Sequence, residues 1–218
     1  MSEPEAQKEL TPSLIQKTLD WAYDKAVNGI PGLGTAQDLA NFFMRGDWPL
    51  ERKVWALIHW QNTKAVTAGF ITGLGGVFAL PVSIPADLAS SLFIHVRMIA
   101  AIAIMEGYDV SDERVKALVY TCLAANSIKE AIEPFGLDIE RQVAKNVIVR
   151  MSGKTLREVN RKVGVKIMSR FGRRGAISFV KGVPLLGGFM NAAVNLVTTY
   201  SIARISTKTL KSVQLVEL

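Results

Sequence analysis

The chain is poor in the residues that carry most metal and redox chemistry. It has one cysteine, Cys122, and two histidines, His59 and His95. A single cysteine excludes an intramolecular disulfide. One thiol and two imidazoles also make a poor ligand set for a His/Cys metal centre. Cys122 sits in the apolar stretch ALVYTCLAAN, where a small buried hydrophobe is expected rather than a reactive thiol. The glycines of GLGG and GIPGLG are not followed by Lys-Ser/Thr and follow no strand pattern, so no phosphate loop is present. EGYDVSDERV lacks the alternating oxygen ligands, glycine bend and distal glutamate of a calcium loop. Neither a metal nor a cofactor is therefore expected. The opening MSEPEAQKELTPS has no apolar core of the kind a secretory signal needs, so an intracellular protein is expected.

Long apolar runs free of interruption are also lacking. Two uncharged runs of 22 residues occur, Ala65 to Ala86 and Gly182 to Ala203. The first contains four glycines and is cut by Pro81 and Pro85. The part before Pro81 would make a helix of about 24 Å, short of the roughly 30 Å hydrocarbon core. Small residues, among them Gly69, Gly73 and Gly76, recur on one helical face and would let another backbone come close. The segment after Pro85 carries Asp87, His95 and Arg97, which are costly against lipid. The pattern predicts a helical hairpin bent at LPVSIPADL. Burial in the protein's own core is favoured, with a hairpin that dips into or reversibly inserts in a membrane, and then a true span, as the alternatives. The second run holds Asn191 and Asn195, four apart on one face and suited to helix–helix hydrogen bonds.

What the chain does have is helical periodicity. Thr11 is placed to cap a helix with Pro12 at its first position, apolar residues Leu14, Ile15, Leu19, Ala22 and Ala26, and a stop at Gly29. Further helices are predicted from Thr35 to about Met44, from Pro49 onward with Asp47 as a cap, and from Ala86 to Glu106 with a stop at Gly107. Another is expected from Ser111 as cap, with Asp112 and Glu113 in its first turn. No stretch alternates cleanly, so the fold is expected to be all-α, a multi-helix bundle of six to nine helices around the glycine-rich hairpin. Residues 1–10 are expected to form a tail, 11–210 a single helical domain and 211–218 a second tail.

The charge is unevenly distributed. The formal net charge is +7, yet residues 141–174 hold eleven Lys/Arg and one acid, Glu158. Arg150, Lys154, Arg157 and Arg161 step along one helical face, with Lys162, Arg173 and Arg174 nearby. Leu156, Val159, Val163 and Ile167 form the opposing apolar stripe. A basic amphipathic helix of this kind suits an anionic membrane surface. Few aromatics interleave with these cations, which disfavours single-stranded nucleic acid. Asp87, Ser91 and His95 could be drawn as a triad. They lie on one helix face with no glycine elbow, so catalysis there is not expected.

Several spaced motifs, TGLGGVFALPVSIPADL, RMIAAIAIMEGYDVSDERV and CLAANSIKE, resemble the EcsC protein family of bacteria. GIPGLGTAQDLA and GVPLLGGFMNAAVN are similar to the family's ends, and the resemblance covers about residues 25 to 210. The family often has Gln where His95 stands. The resemblance implies a hydrophobic protein encoded beside an ABC transporter, with no established enzymatic activity. Carried over by motif, Asp87, Arg97, Gly107, Asp109, Arg114 and Glu130 are its residues of interest, expected to form a polar network between helices. The expected function is non-catalytic binding of anionic lipid, or of a membrane protein such as a transporter, at the inner face of the cell membrane. An enzyme acting on a hydrophobic substrate near Asp87 and Arg97, and a membrane-inserting helical effector, are the alternatives.

Overall fold

The structure is a computed structural model, and it describes residues 11–30, 32, 34–65, 86–125, 152–167, 169 and 198–211. Among the described residues seven helical segments occur and no strand. They are α1 (Pro12–Asn28), α2 (Ala36–Met44), α3 (Leu50–Ala65), α4 (Ala86–Met105), α5 (Glu113–Ala124), α6 (Gly153–Ile167) and α7 (198–211). The all-α bundle expected from periodicity is what forms.

Local chemistry sets the helix ends. Thr11 accepts the Leu14 N–H and Pro12 occupies the first turn of α1, where its missing donor costs nothing. Thr35 and Asp38 close a reciprocal capping box on α2. The predicted caps of two other helices are displaced. The N-cap of α5 is Asp112, whose carboxylate accepts the Arg114 N–H, while Ser111 bonds back to Asp109. The shorter, charged Asp112 side chain takes the orphan amide, so the helix starts one residue later than Ser111 would place it. α3 begins at Leu50, with the Pro49 carbonyl accepting the Arg52 and Lys53 N–H groups of the first turn, which leaves Asp47 in the preceding bend.

α4 is the hub. It packs against α1, α2, α3 and α5, while α6 packs on α5 and α1. From Ala89 to Met105 only Ser91, Ile94 and Ile104 are not fully buried. Such an all-round apolar helix must be enclosed. Full burial of Leu92, Phe93, Ile99 and Ile102 contributes about 1.5–3 kcal/mol each. The surrounding helices each turn one stripe inward: Ile15, Leu19, Ala22 and Ala26 from α1, Val54, Leu57 and Ile58 from α3, Val159, Val163 and Ile167 from α6. α7 closes the other side through Ile202, Ala203 and Leu210. The two helices that flank the first uncharged run, α3 and α4, pack together. The run itself, with Gly69, Gly73, Gly76, Pro81 and Pro85, lies outside the described residues.

No helix among the described residues is long and apolar enough to cross a membrane.

The α1–α2 junction depends on a glycine. Gly29 ends α1 at φ +88° and ψ 170°, and its N–H caps the Lys25 carbonyl at 3.0 Å. A Cβ there would lie 3.1 Å from Thr35 Cγ2 in the α2 cap. Gly29→Ala is expected to cost about 1–3 kcal/mol, from a backbone region that is nearly exclusive to glycine. Gly46→Ala has a comparable φ of +84° but meets no atom within 4 Å, so a smaller loss is expected. Urea denaturation of both variants checks the order; equal losses would show that the Thr35 contact carries no weight.

Candidate functional site

Two buried ionisable side chains, His95 and Arg97, interrupt the apolar surface of α4, and each reaches a different neighbour. His95 Nδ1 lies 2.7 Å from the Ser91 carbonyl, one turn back, and 3.5 Å from the Ser91 hydroxyl. Its Nε2 lies 3.0 Å from Thr199 Oγ1 on α7. A carbonyl can only accept, so Nδ1 carries the proton in the neutral ring and Nε2 accepts from Thr199. The serine hydroxyl is not the group the imidazole serves. The ring, 5 % exposed, thus pins α7 to α4, and Nδ1, as a donor to the Ser91 carbonyl, is not placed as a base for the Ser91 hydroxyl. Asp87 lies in the first turn of α4, its side chain outside the described set.

Arg97 is equally buried and points the other way. Its Nη2 donates to the Thr35 carbonyl at 3.4 Å, beside Gly34 and Asp38. Burial lowers the guanidinium's pKa, and the Asp38 charge works against that. Asp38 is itself held below the usual carboxylate range, first by the Thr35 N–H, then by the Thr35 hydroxyl, with Arg97 adding to both. The glycine-rich turn between α1 and α2 is therefore tied to the hub by a cation on α4.

The turn from α4 into α5 has its own polar set. Asp109 Oδ1 accepts the Ser111 hydroxyl and N–H at 2.6 and 2.9 Å. Arg114 folds back onto Asp112 in a two-pronged ion pair. Those bonds lower both carboxyls' pKa values. Nearby, the Tyr23 hydroxyl donates to the Val110 carbonyl at 2.8 Å, and Tyr23 meets Tyr120 edge to face at 5.7 Å. Tyr120 donates to Asp20, which Lys116 also holds at 3.0 Å. Burial first, then the surrounding acids, raises both phenol pKa values, so both remain neutral donors. Of the motif residues, Asp109 and Arg114 bond within their own turn and Arg97 reaches the α2 cap. Glu130 lies outside the described residues.

α5 meets α7 at the lone thiol. Cys122 is fully buried, and burial pushes its pKa up to about 12, with the Ser206 and Thr209 hydroxyls acting in the opposite sense. Tyr108, at the turn, donates to the Leu210 carbonyl at 2.8 Å. Among the described residues no group of three His, Cys, Asp or Glu side chains is placed to hold a metal ion.

The surface is where unsatisfied chemistry lies. On α6, Val159, Val163 and Ile167 face the core, and Lys154, Arg157, Arg161 and Lys162 are exposed. Its one acid, Glu158, pairs with Lys162 at 3.3 Å in an exposed contact worth little. Arg150, Arg173 and Arg174 lie outside the described residues. A second surface has no counterpart in the sequence reading. Phe42, Met44, Trp48, Trp55 and Tyr200 are all exposed, and Trp48 and Trp55 at 56 % and 55 %. The spacing of Trp48, Arg52, Trp55 and His59 was the available signal: steps of 4, 3 and 4 residues put them on one helical face, away from Val54, Leu57 and Ile58.

His95→Leu removes both ring bonds and is expected to cost about 1–3 kcal/mol. His95→Gln keeps one donor and one acceptor and is expected to cost clearly less. Thermal unfolding of the two variants decides the point, and equal losses would mean that the ring acts by packing alone.

The family comparison extends the resemblance seen in the motifs to both ends of the bundle. The model of the EcsC protein family matches residues 5–212, from before α1 to the end of α7. No curated protein and no solved structure matches the chain. With nearly its whole length matched, the chain belongs to the EcsC protein family.

Proposed function

We propose that the protein is a non-catalytic, peripheral membrane protein that binds anionic lipid at the inner face of the cell membrane through α6. The observation that carries this reading is the division of α6. Its apolar stripe is consumed by contacts with α1 and α5, and of its larger apolar side chains Val165 is the one left exposed, which is too little to bury a face in lipid. Its cationic face is left in solvent, with one carboxylate in its path. Contact with a bilayer would then be electrostatic, between Lys154, Arg157, Arg161 and Lys162 and lipid phosphates. It would weaken with added salt as the screening length falls. An acidic surface of a membrane protein could meet the same face, and protein-free vesicles separate that partner from lipid.

Replacing Lys154, Arg157 and Arg161 together by alanine is expected to lower affinity for vesicles containing phosphatidylglycerol by about a hundredfold at low salt. All three are exposed, so the melting temperature should be unchanged. Vesicle flotation across salt measures the effect. Unchanged, salt-sensitive binding by the triple variant would overturn the role of α6.

A further inference from the structure

α3 and α7 together present a second surface, separate in chemistry from α6. Arg52, Trp55 and His59 follow one another along the outer face of α3, and Trp48 precedes them in the segment that leads into the helix. The Trp55 ring stacks with His59 at 6.1 Å and meets the Tyr200 ring of α7 edge-on at 5.9 Å. From Tyr200 the exposed face of α7 continues through Arg204 and Lys208, at steps of four. At the end of α2, Phe42 and Met44 are exposed as well. Trp48, Arg52, Trp55, Ala56 and His59, with Glu51, line an open groove of ≈ 500 Å³.

The rings and cations are paired. The Arg52 guanidinium lies 4.8 Å over the Trp48 ring, and Arg45 lies 5.9 Å over Phe42. Each pair sets an apolar ring beside a positive head. That is the chemistry of the bilayer interface, where indole and phenol rings sit at headgroup depth and guanidinium groups meet phosphates. The local acids compete little. Glu51 is bound by Lys211 of α7; Asp47, in the bend before α3, is exposed, as are the cations Arg45, Arg52, Arg204 and Lys208. A dry protein partner would have to bury these cations away from water and place an acid against each of them, which is costly. A phosphate-rich interface provides the counter-charge.

We infer that the α3–α7 aromatic face is a lipid-interface anchor, in which Trp48, Trp55 and Tyr200 enter the headgroup region and Arg52 and Arg204 meet lipid phosphate. This rests on the reading of the protein as membrane-associated but not on α6. Zwitterionic lipids also carry phosphate, so the anchor works without net lipid charge. Rings hold it in place, so it survives salt.

The test is flotation of the full chain with phosphatidylcholine vesicles, with and without phosphatidylglycerol, at low salt and at about 1 M salt, where the screening length is about 3 Å. The wild type is expected to keep part of its binding on neutral vesicles and at high salt. Trp48→Ala with Trp55→Ala is expected to lower that part about tenfold or more, since each exposed indole brings a large apolar area to the interface. Trp55→Phe should retain most of it. Brominated acyl chains should quench wild-type tryptophan emission and lose this effect in the double variant, a readout that does not depend on affinity. The α6 triple variant should lose only the salt-sensitive part, so failure of either surface is seen separately. Binding by the folded double variant equal to that of the wild type would overturn the inference. So would absence of wild-type binding to neutral vesicles, or a change from dimer to monomer in the double variant with no change on lipid, which would make the face a contact between copies.

Discussion

The enclosure of α4 is the constraint on which the rest of the structure depends. A 20-residue helix that is apolar on every face cannot lie on a surface. Four helices pack around it, and each must turn its apolar stripe inward. Its two buried ionisable groups then set where the neighbours sit. His95 needs a partner that crosses from α7, and Arg97 needs one at the α1–α2 turn. A buried polar group without its partner costs about 1–3 kcal/mol, so these bonds select one arrangement among several that would bury similar apolar area. Tyr108 and Cys122 add further ties to α7, and Tyr23 and Tyr120 hold α1 to the α4–α5 turn and to α5.

The outer surface follows from that enclosure. Because α6 spends its apolar stripe on the core, its outward side is left cationic and nearly without aromatics. Because α3 meets the core through Val54, Leu57, Ile58 and Gln61, with Leu50 and Trp60 beside them, Trp55 is left outside, as is Trp48 just before the helix. α7 supplies the neighbouring ring and two further cations. One bundle thus offers two kinds of surface, one governed by charge and one by rings paired with charge. Neither requires the enclosed helix to leave the core.

Much of the fold was legible because helix boundaries here obey local rules. Thr11 with Pro12, the Thr35 start of α2 and the stop at Gly107 are decided within a few residues of chain. The α6 pattern was legible for the same reason: one helix's periodicity separates its two faces. Ser111 was a plausible cap by residue type, and only the geometry of the turn shows that Asp112 takes the amide and Ser111 serves Asp109. The partners of His95 and Arg97 lie 104 and 62 residues away, and no local pattern encodes such distances. The aromatic face is not legible in the sequence for a different reason. Tryptophan at helical spacing reads as core, and its exposure is decided by what the other face of α3 already buries.

The central claim is that α4 stays enclosed by the protein whether or not the bundle is on a membrane. Amide hydrogen exchange of α4, with and without vesicles of phosphatidylcholine and phosphatidylglycerol, tests it most directly. Core helices exchange only through large-scale opening. The α4 amides should therefore be among the slowest in water and equally slow on vesicles, while α3 and α7 gain protection at their outer faces. A loss of α4 protection on vesicles would mean that the hub helix leaves its enclosure for lipid, and would contradict the account.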